Sequence, residues 1–324
     1  MPEITRESRM ARKIIIDTDP GQDDAVAILL ALASPELEVL GLSIVAGNVP
    51  LALTARNALK ICELAGRADL PVYAGCDRPL KRPLVTAEEV HGKSGLDGVE
   101  LPEPQMALQP QHAVDFLIET LRREAPGTVT LVPIGPLTNI ATAFARAPEI
   151  VDRVQEIVLM GGAYFEVGNI TPTAEFNIYV DPEAADLVFK SGAPLTVLPL
   201  DVTHKALTSR DWIEGMRKLG RLGQAVASWT DFFERYDKEK YGSKGAPLHD
   251  PCTIGYLLRP DFFAGRFINV VIETQGEFTS GMTVADWWRV TGRPANANFI
   301  RDIDRDRFYE LLTDRLTLLD SENP

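Results

Sequence analysis

The sequence predicts an α/β protein built on an open, mostly parallel sheet with helices on both faces. Three observations predict it. Short apolar runs alternate with segments of helical period over most of the chain. The strand candidates show little polar alternation, as expected of strands covered on both sides. Composition is that of an ordinary globular protein, 45 % hydrophobic and 24 % charged over 324 residues.

In order, KIIIDTD (13–19) reads as a buried strand and DDAVAILLALAS (23–34) as a helix, apolar nearly all round and closed by Pro35. LEVLGLSIVAGN (37–48) is a second strand, and LALTARNALKICELAG (51–66) is a helix stopped by Gly66. LPVYAG (70–75) is a third strand, and QHAVDFLIETLRREAPG (111–127) is an amphipathic helix. TVTLVPIG (128–135) with LTNIATAFARAP (137–148) repeats the strand–helix unit, as does EIVLMGG (156–162) with DPEAADLVFKSG (181–192). LTVLPLDVTH (195–204) reads as a further strand, and residues 209–241 as helical. FINVVIETQGEFTSGMTVADWW (267–288) alternates like antiparallel strands, and a closing strand and helix follow in 296–319. The whole describes a Rossmann-like sheet with a helical segment and small antiparallel elements near the C-terminus. In such sheets ligands bind at the carboxyl ends of the strands, where the polar clusters of this chain fall.

Residues 77–110 are rich in Pro and Gly and lack periodicity, which suits a lid-like loop segment. Length alone suggests two domains, but α/β enzymes often exceed that size as one unit. Residues 1–11 read as a flexible extension and 12–324 as a single domain, with 205–245 a helical segment over the site. The net charge of −13 disfavours nucleic-acid polymers and anionic membranes as partners. No apolar run reaches the length of a membrane span, and the start has no apolar signal core. Cys62, Cys76 and Cys252 form no CxxC, so a disulfide framework is not expected and a cytoplasmic location is.

IIIDTDPGQDD (14–24) places Asp17, Asp19, Asp23 and Asp24 at the end of an apolar strand. Two carboxylates roughly 5 Å apart repel by about 3 kcal/mol at an effective dielectric near 20. A helix cap with solvated acids is one account, since Asp23 and Asp24 fall in a first helical turn. A hard divalent cation is the better account of four clustered acids. Oxygen ligands without nearby Cys or His point to Ca²⁺ or Mg²⁺. Twelve-residue loops begun at Asp17 or Asp19 end on Ile28 or Leu30, which excludes an EF-hand.

Other polar groups fall at strand ends too. Asn48 follows the second strand; GNITPTAEFNIYVDP offers Asn169, Glu175 and Asn177; GAPLHDPC places His249 and Asp250 before Pro251, a helix-start pattern. Read as extended chain, Glu175 and Asn177 share a face. Each has a plain structural reading as a turn, cap or satisfied core residue. Together they suit sugar hydroxyls rather than phosphate, which would call for Arg, Lys or a Gly-rich nest. The GxGxxG and Walker patterns are missing.

On DTDPGQDDAVAILLAL, VPIGPLTNIA, VLMGG, AEFNIYVDPEAA and PLHDPC, in that order, the chain from about residue 12 to 318 resembles the inosine-uridine-preferring nucleoside hydrolases. The resemblance implies hydrolysis of the N-glycosidic bond of ribonucleosides with a tightly held Ca²⁺. It implies Asp19, Asp24, Asp250 and the backbone carbonyl of Ile134 as metal ligands. Asp23, Asn48, Asn169, Glu175 and Asn177 match ribose-binding positions, and Asp17 a supporting one. Asp19 would be the general base toward a calcium-held water, and His249 the acid that protonates the leaving base. A His directly before this Asp marks the group that includes inosine-uridine and pyrimidine-specific enzymes. HGKSGLDG resembles a loop that closes over the site and brings His91 toward the base, and Tyr236 and Tyr241 lie where relatives contact it. Trp287 and Trp288 read as core or subunit contacts. The family implies a homodimer or homotetramer acting in nucleoside salvage. The rivals are a calcium-dependent nucleoside sensor without turnover and a phosphohydrolase, for which no cationic cradle is present.

Overall fold

The computed structural model describes residues 11–242 and 245–323. The extension expected over residues 1–11 lies, but for its last residue, outside the described residues. The first half contains β1 (Arg12–Thr18), α1 (Gln22–Leu32), β2 (Leu37–Ile44), α2 (Leu51–Leu64) and β3 (Val72–Ala74). The loop-rich stretch that follows carries only the short α3 (Glu88–His91). Then come α4 (Ala113–Arg123), β4 (Val129–Pro133), α5 (Thr138–Arg146), β5 (Val154–Met160), α6 (Phe176–Val180), α7 (Pro182–Phe189) and β6 (Leu195–Leu198). Helices α8 (Leu200–Thr203), α9 (Arg210–Arg217), α10 (Arg221–Tyr241) and α11 (Pro251–Leu258) follow. The chain ends with β7 (Phe263–Ile268), β8 (Val270–Ile272), β9 (Thr283–Ala285), β10 (Ala297–Ile303) and α12 (Arg305–Glu322).

The eight-stranded sheet runs β3-β2-β1-β4-β5-β6-β10-β7. Its neighbours are parallel except for β7, which pairs antiparallel with β10. A separate antiparallel pair, β8–β9, carries the alternating C-terminal pattern.

The three isoleucines of β1 show why the strand reads as one apolar run. Ile14, Ile15 and Ile16 are all fully buried, with Ile14 and Ile16 in one core and Ile15 in the other. Period-two alternation sends them to opposite faces, and helices cover both. Each such burial is worth roughly 1.5–3 kcal/mol. Helix α1 is buried from Gln22 to Ala31 because it lies between the sheet and α10, α11 and α12. Helix α4, by contrast, keeps one apolar face inward and a charged face outward.

Three expectations meet corrections. The strand read over 195–204 ends at Leu198, because Pro199 has no N–H for the ladder, and the short α8 takes over. The extended reading of Glu175 to Asn177 fails: Phe176–Val180 is a helix with Glu175 as its N-cap. The helical stretch 209–241 is two helices, α9 and α10, separated at residues 218–220.

Strand β1 has β2 on one side and β4 on the other, so the chain reverses its winding direction there. A crevice therefore opens outside the carboxyl ends of β1 and β4. The acidic stretch after β1 and residue Ile134 after β4 both lie at that crevice.

Candidate active site

The turn Asp19-Pro20-Gly21 leads from β1 into α1, which places Asp23 and Asp24 in the helix's first turn. Asp24 is held by Thr18, whose hydroxyl donates to it at 2.5 Å, and by the Gly21 N–H at 2.9 Å. Asp19 accepts the Asn48 N–H at 2.7 Å, and the Asn48 side-chain amide donates to the Asp19 carbonyl at 3.0 Å and the Asp24 carboxylate at 3.3 Å. Asp250 stands at the N-cap of α11 but makes no side-chain cap bond. Carboxylate oxygens of Asp23, Asp24 and Asp250 lie within 4.8 Å of one another, and all three residues are buried. Asp19 stands outside that closest group.

Burial is the largest influence on each of these acids and raises it. Asp23 is pushed up to about 7, by burial and then by the charge of Asp24. Asp24 is raised by burial against hydrogen bonds from Thr18 and Gly21. Asp19 is well above the usual carboxylate range through burial and the charges of Asp24 and Asp23. Asp250 is likewise well above it, through burial and the charges of Asp23, Asp24 and Asp19. One oxygen of Asp19, Oδ1, is buried without a hydrogen-bond partner among the described residues. A buried orphan oxygen and an all-oxygen donor set that repels itself fit a hard divalent cation. Two glycines make room for Asp19. A Cβ on Gly47 would fall 2.1 Å from its Oδ2, and one on Gly135 would fall 2.3 Å from its Oδ1.

A cavity that opens to solvent adjoins the cluster and is bordered by Asp23, Asp24 and Asp250. Asn48, Ile134, Asn169, Glu175 and Asn177 border it as well; Asp17 and Asp19 do not. Asp17 is buried at the end of β1, where it accepts Asn139 at 2.9 Å and the Ser43 hydroxyl. The Asn177 amide donates to the Ile134 carbonyl at 2.9 Å and the Met160 carbonyl at 3.2 Å. Its donors are engaged, so its carbonyl oxygen is what it can offer a ligand. Asn169 accepts the Phe176 N–H at 2.9 Å. Glu175 accepts N–H groups from Asn177, Gly162 and Ile178 at 2.9, 3.0 and 3.2 Å. Burial nevertheless pushes its carboxyl up to about 7.

Imidazole and aromatic rings make up much of the remaining lining. His249 and His91 border the cavity with His204, Phe233 and Tyr236. His249 Nδ1 lies 2.7 Å from the Thr203 hydroxyl, and its ring is 5.7 Å from His204 and 6.2 Å from Phe233. Burial, then the charges of His204 and His91, hold its imidazole well below the usual range. His91 is buried at the end of α3, and burial lowers it to about 4. The side chain of Tyr241 lies outside what is described. Of the tryptophans, Trp287 is buried against Phe299, whereas Trp288 is 75 % exposed.

Sequence reasoning passed over Gln22, Met160, His204 and Phe233. His204 follows the β6–α8 stretch and was reachable by the strand-end rule. Phe233 had no such signal, because its place at the cavity depends on how α10 packs against α1 and α3.

Clustered acids able to hold a cation, neutral amides beside them and aromatic rings in the same lining suit a small polar molecule with a planar part. The profile of the inosine-uridine preferring nucleoside hydrolases matches residues 14–310, and the chain belongs to that family. It is a ribonucleoside hydrolase, which cleaves N-glycosidic bonds with water. An uncharacterised protein of Schizosaccharomyces pombe is 56 % identical over 305 residues, 94 % of this chain and 98 % of that one. A pyrimidine-specific ribonucleoside hydrolase of Photobacterium profundum is 52 % identical, covering 95 % of this chain and 99 % of the relative. Among solved structures, the purine-preferring ribonucleoside hydrolase of Gardnerella vaginalis superimposes with a TM-score of 0.90 at 34 % identity, covering 96 % of this chain and 100 % of that one.

Proposed function

We propose that this enzyme is a calcium-dependent ribonucleoside hydrolase with a preference for pyrimidine nucleosides. The observation that carries the metal is the buried Oδ1 of Asp19, which has no hydrogen-bond partner among the described residues, beside the cluster of Asp23, Asp24 and Asp250. Asp19, Asp24, Asp250 and the Ile134 carbonyl would hold the ion. That carbonyl accepts one hydrogen bond from Asn177 and keeps a second lone pair. When bound, calcium supplies positive charge that anchors vicinal hydroxyls and polarises an attacking water.

The protein's own groups do the rest. Asp23, Asn48, Asn169, Glu175 and Asn177 bind the ribose hydroxyls. Asp19 takes the proton of the attacking water as general base. Cleavage passes through an oxocarbenium-like state, and the buried carboxylates stabilise its charge. His249 delivers a proton to the departing base, with Thr203 at Nδ1 orienting its ring. His91 meets the base from the aromatic lining of the cavity. The pyrimidine preference is supported by the 52 % identical relative, whose similarity exceeds that of the purine-preferring structure at 34 %. A homodimer or homotetramer and a cytoplasmic location complete the proposal. Free thiols at Cys62, Cys76 and Cys252 agree with a reducing compartment. No helix among the described residues is long and apolar enough to cross a membrane.

The test is the initial hydrolysis rate of uridine, cytidine, inosine and adenosine, each with and without its 5′-phosphate, before and after exhaustive calcium removal. The expected result is turnover of unphosphorylated nucleosides only, fastest for uridine and cytidine, lost with calcium and restored by it. Nucleoside binding without turnover in calcium-loaded protein would instead make it a sensor.

A further inference from the structure

Gln22 sits inside the acidic motif and takes no part in the chemistry above. It is buried, and its amide nitrogen donates to two carbonyl oxygens, His91 O at 2.9 Å and Asp97 O at 3.0 Å. Carbonyl oxygens only accept, so this contact orients the amide: the opposite orientation would set its oxygen against two others. The amide oxygen therefore faces His91 Nδ1, 2.6 Å away. An amide oxygen can only accept, so Nδ1 carries the proton. Burial keeps the ring neutral at physiological pH, with its pKa lowered to about 4. A neutral imidazole holds one N–H, which leaves Nε2 with a lone pair. Among the described residues no group hydrogen-bonds that nitrogen. The ring borders the cavity, 5.6 Å from the Phe233 ring, and a Cβ on Gly21 would fall 2.5 Å from its Nδ1. It is clamped between the β1–α1 turn and α10, with little freedom to flip.

We propose that Gln22 is a positioning residue that locks His91 as the Nδ1–H tautomer, making its Nε2 a fixed acceptor that selects leaving bases presenting an N–H donor. The proposal rests on the reading of this cavity as the nucleoside site. It takes His91 out of proton delivery, because an unprotonated Nε2 has no proton to give. Uracil offers its ring N3–H and cytosine its exocyclic amino group, whereas N3-methyluracil offers neither.

Two measurements test it in the calcium-loaded full chain. The first is ¹⁵N–¹H NMR of the histidine ring nitrogens in the wild type, with His91 assigned by the peaks missing from His91→Gln. A proton on Nδ1 and an unprotonated Nε2 are expected; a proton on Nε2 would overturn the proposal. The second compares uridine with N3-methyluridine. The wild type is expected to favour uridine in kcat/KM by on the order of tenfold or more, chiefly through KM. In Gln22→Met the ratio should shrink, as uridine's KM rises and the His91 resonances shift toward a tautomer mixture. Equal kcat/KM for the two substrates in the wild type, or an unchanged ratio in Gln22→Met, would refute it. Should Gln22→Met fail to fold, the wild-type spectrum and ratio decide. Should the enzyme hydrolyse no nucleoside, the substrate reading falls, and the dissociation constants of the two compounds carry the same comparison.

Discussion

At the N-cap of α11 the carboxylate of Asp250 leaves the helix's first N–H groups alone. Asp181 and Asp304 do the opposite: each caps its helix, accepting the N–H of Ala184 at 3.1 Å and of Arg307 at 3.3 Å. A capping carboxylate has its oxygens engaged by donors, whereas that of Asp250 is turned to the other acids. Glu175 is intermediate, since it caps α6 and borders the cavity as well. The neighbour of Asp250, His249, yields the prediction at this scale. If its ring protonates the leaving base, His249→Ala should slow uridine by about two to four decades. It should slow 4-nitrophenyl riboside, whose leaving group needs no proton, far less. Equal losses on both substrates in steady-state kinetics would remove the acid role.

Between elements, the decisive positions are the ends of β2 and β4. Their glycines, Gly47 and Gly135, stand on either side of the Asp19 carboxylate, closer than any Cβ could. Gly135→Ala should therefore displace Asp19 and weaken calcium binding by on the order of a hundredfold, as supporting changes at metal sites do. Isothermal titration with calcium checks this, and the far-ultraviolet circular dichroism should stay unchanged. Gly215→Ala is the control: Gly215 lies in α9 with open space where its Cβ would go, and the change should add up to about 1 kcal/mol of stability. An unaltered calcium affinity in Gly135→Ala would show that Asp19 does not need that gap. Much of this scale was legible beforehand. The apolar runs of β1, β2, β4 and β5 and the all-round apolar α1 follow from side-chain period alone. Helix α6 was not legible, because its cap also needs the N–H of Gly162, brought in from the end of β5. The end of β6 is set by Pro199, a residue-level stop that the sequence itself displays.

Across the whole molecule, the buried acids outweigh any one contact. Burial holds Asp17, Asp23 and Glu175 up near 7. These acids bind more protons in the folded, metal-free chain than in the unfolded chain between about pH 4 and 7, and they outnumber His91 and His249, which burial holds low and which act in the opposite sense. Stability rises with pH only where the unfolded state binds more protons, so here it falls as pH rises through about 7. Each such group contributes a slope of up to about 1.4 kcal/mol per pH unit in that window. The exposed acids held low by arginine, such as Asp261 at about 2, titrate below it. In chelator, the thermal midpoint should be lower at pH 8 than at pH 6. Calcium at a hundredfold excess over its Kd should return about 2.7 kcal/mol, with the larger gain at pH 8, where the ligands are ionised. A midpoint in chelator that is flat or rises from pH 6 to pH 8, by differential scanning calorimetry, would contradict this.

The chain by itself determined a good deal: which runs are strands and helices, that four acids follow the first strand, and that amides and a His-Asp pair follow others. Those properties are local, because period and turn chemistry are set by residues near one another in the sequence. Only the tertiary structure decided which acids meet. It put Asp23, Asp24 and Asp250 in one group at the cavity, with Asp19 buried beside them and its Oδ1 without a hydrogen-bond partner among the described residues. It also set Gln22 against His91, 69 positions along the chain. Such pairings depend on how the sheet stacks its strand ends and how α3 and α10 pack above them. No local pattern carries that information, since hydrogen-bond partners far apart in sequence are chosen by packing.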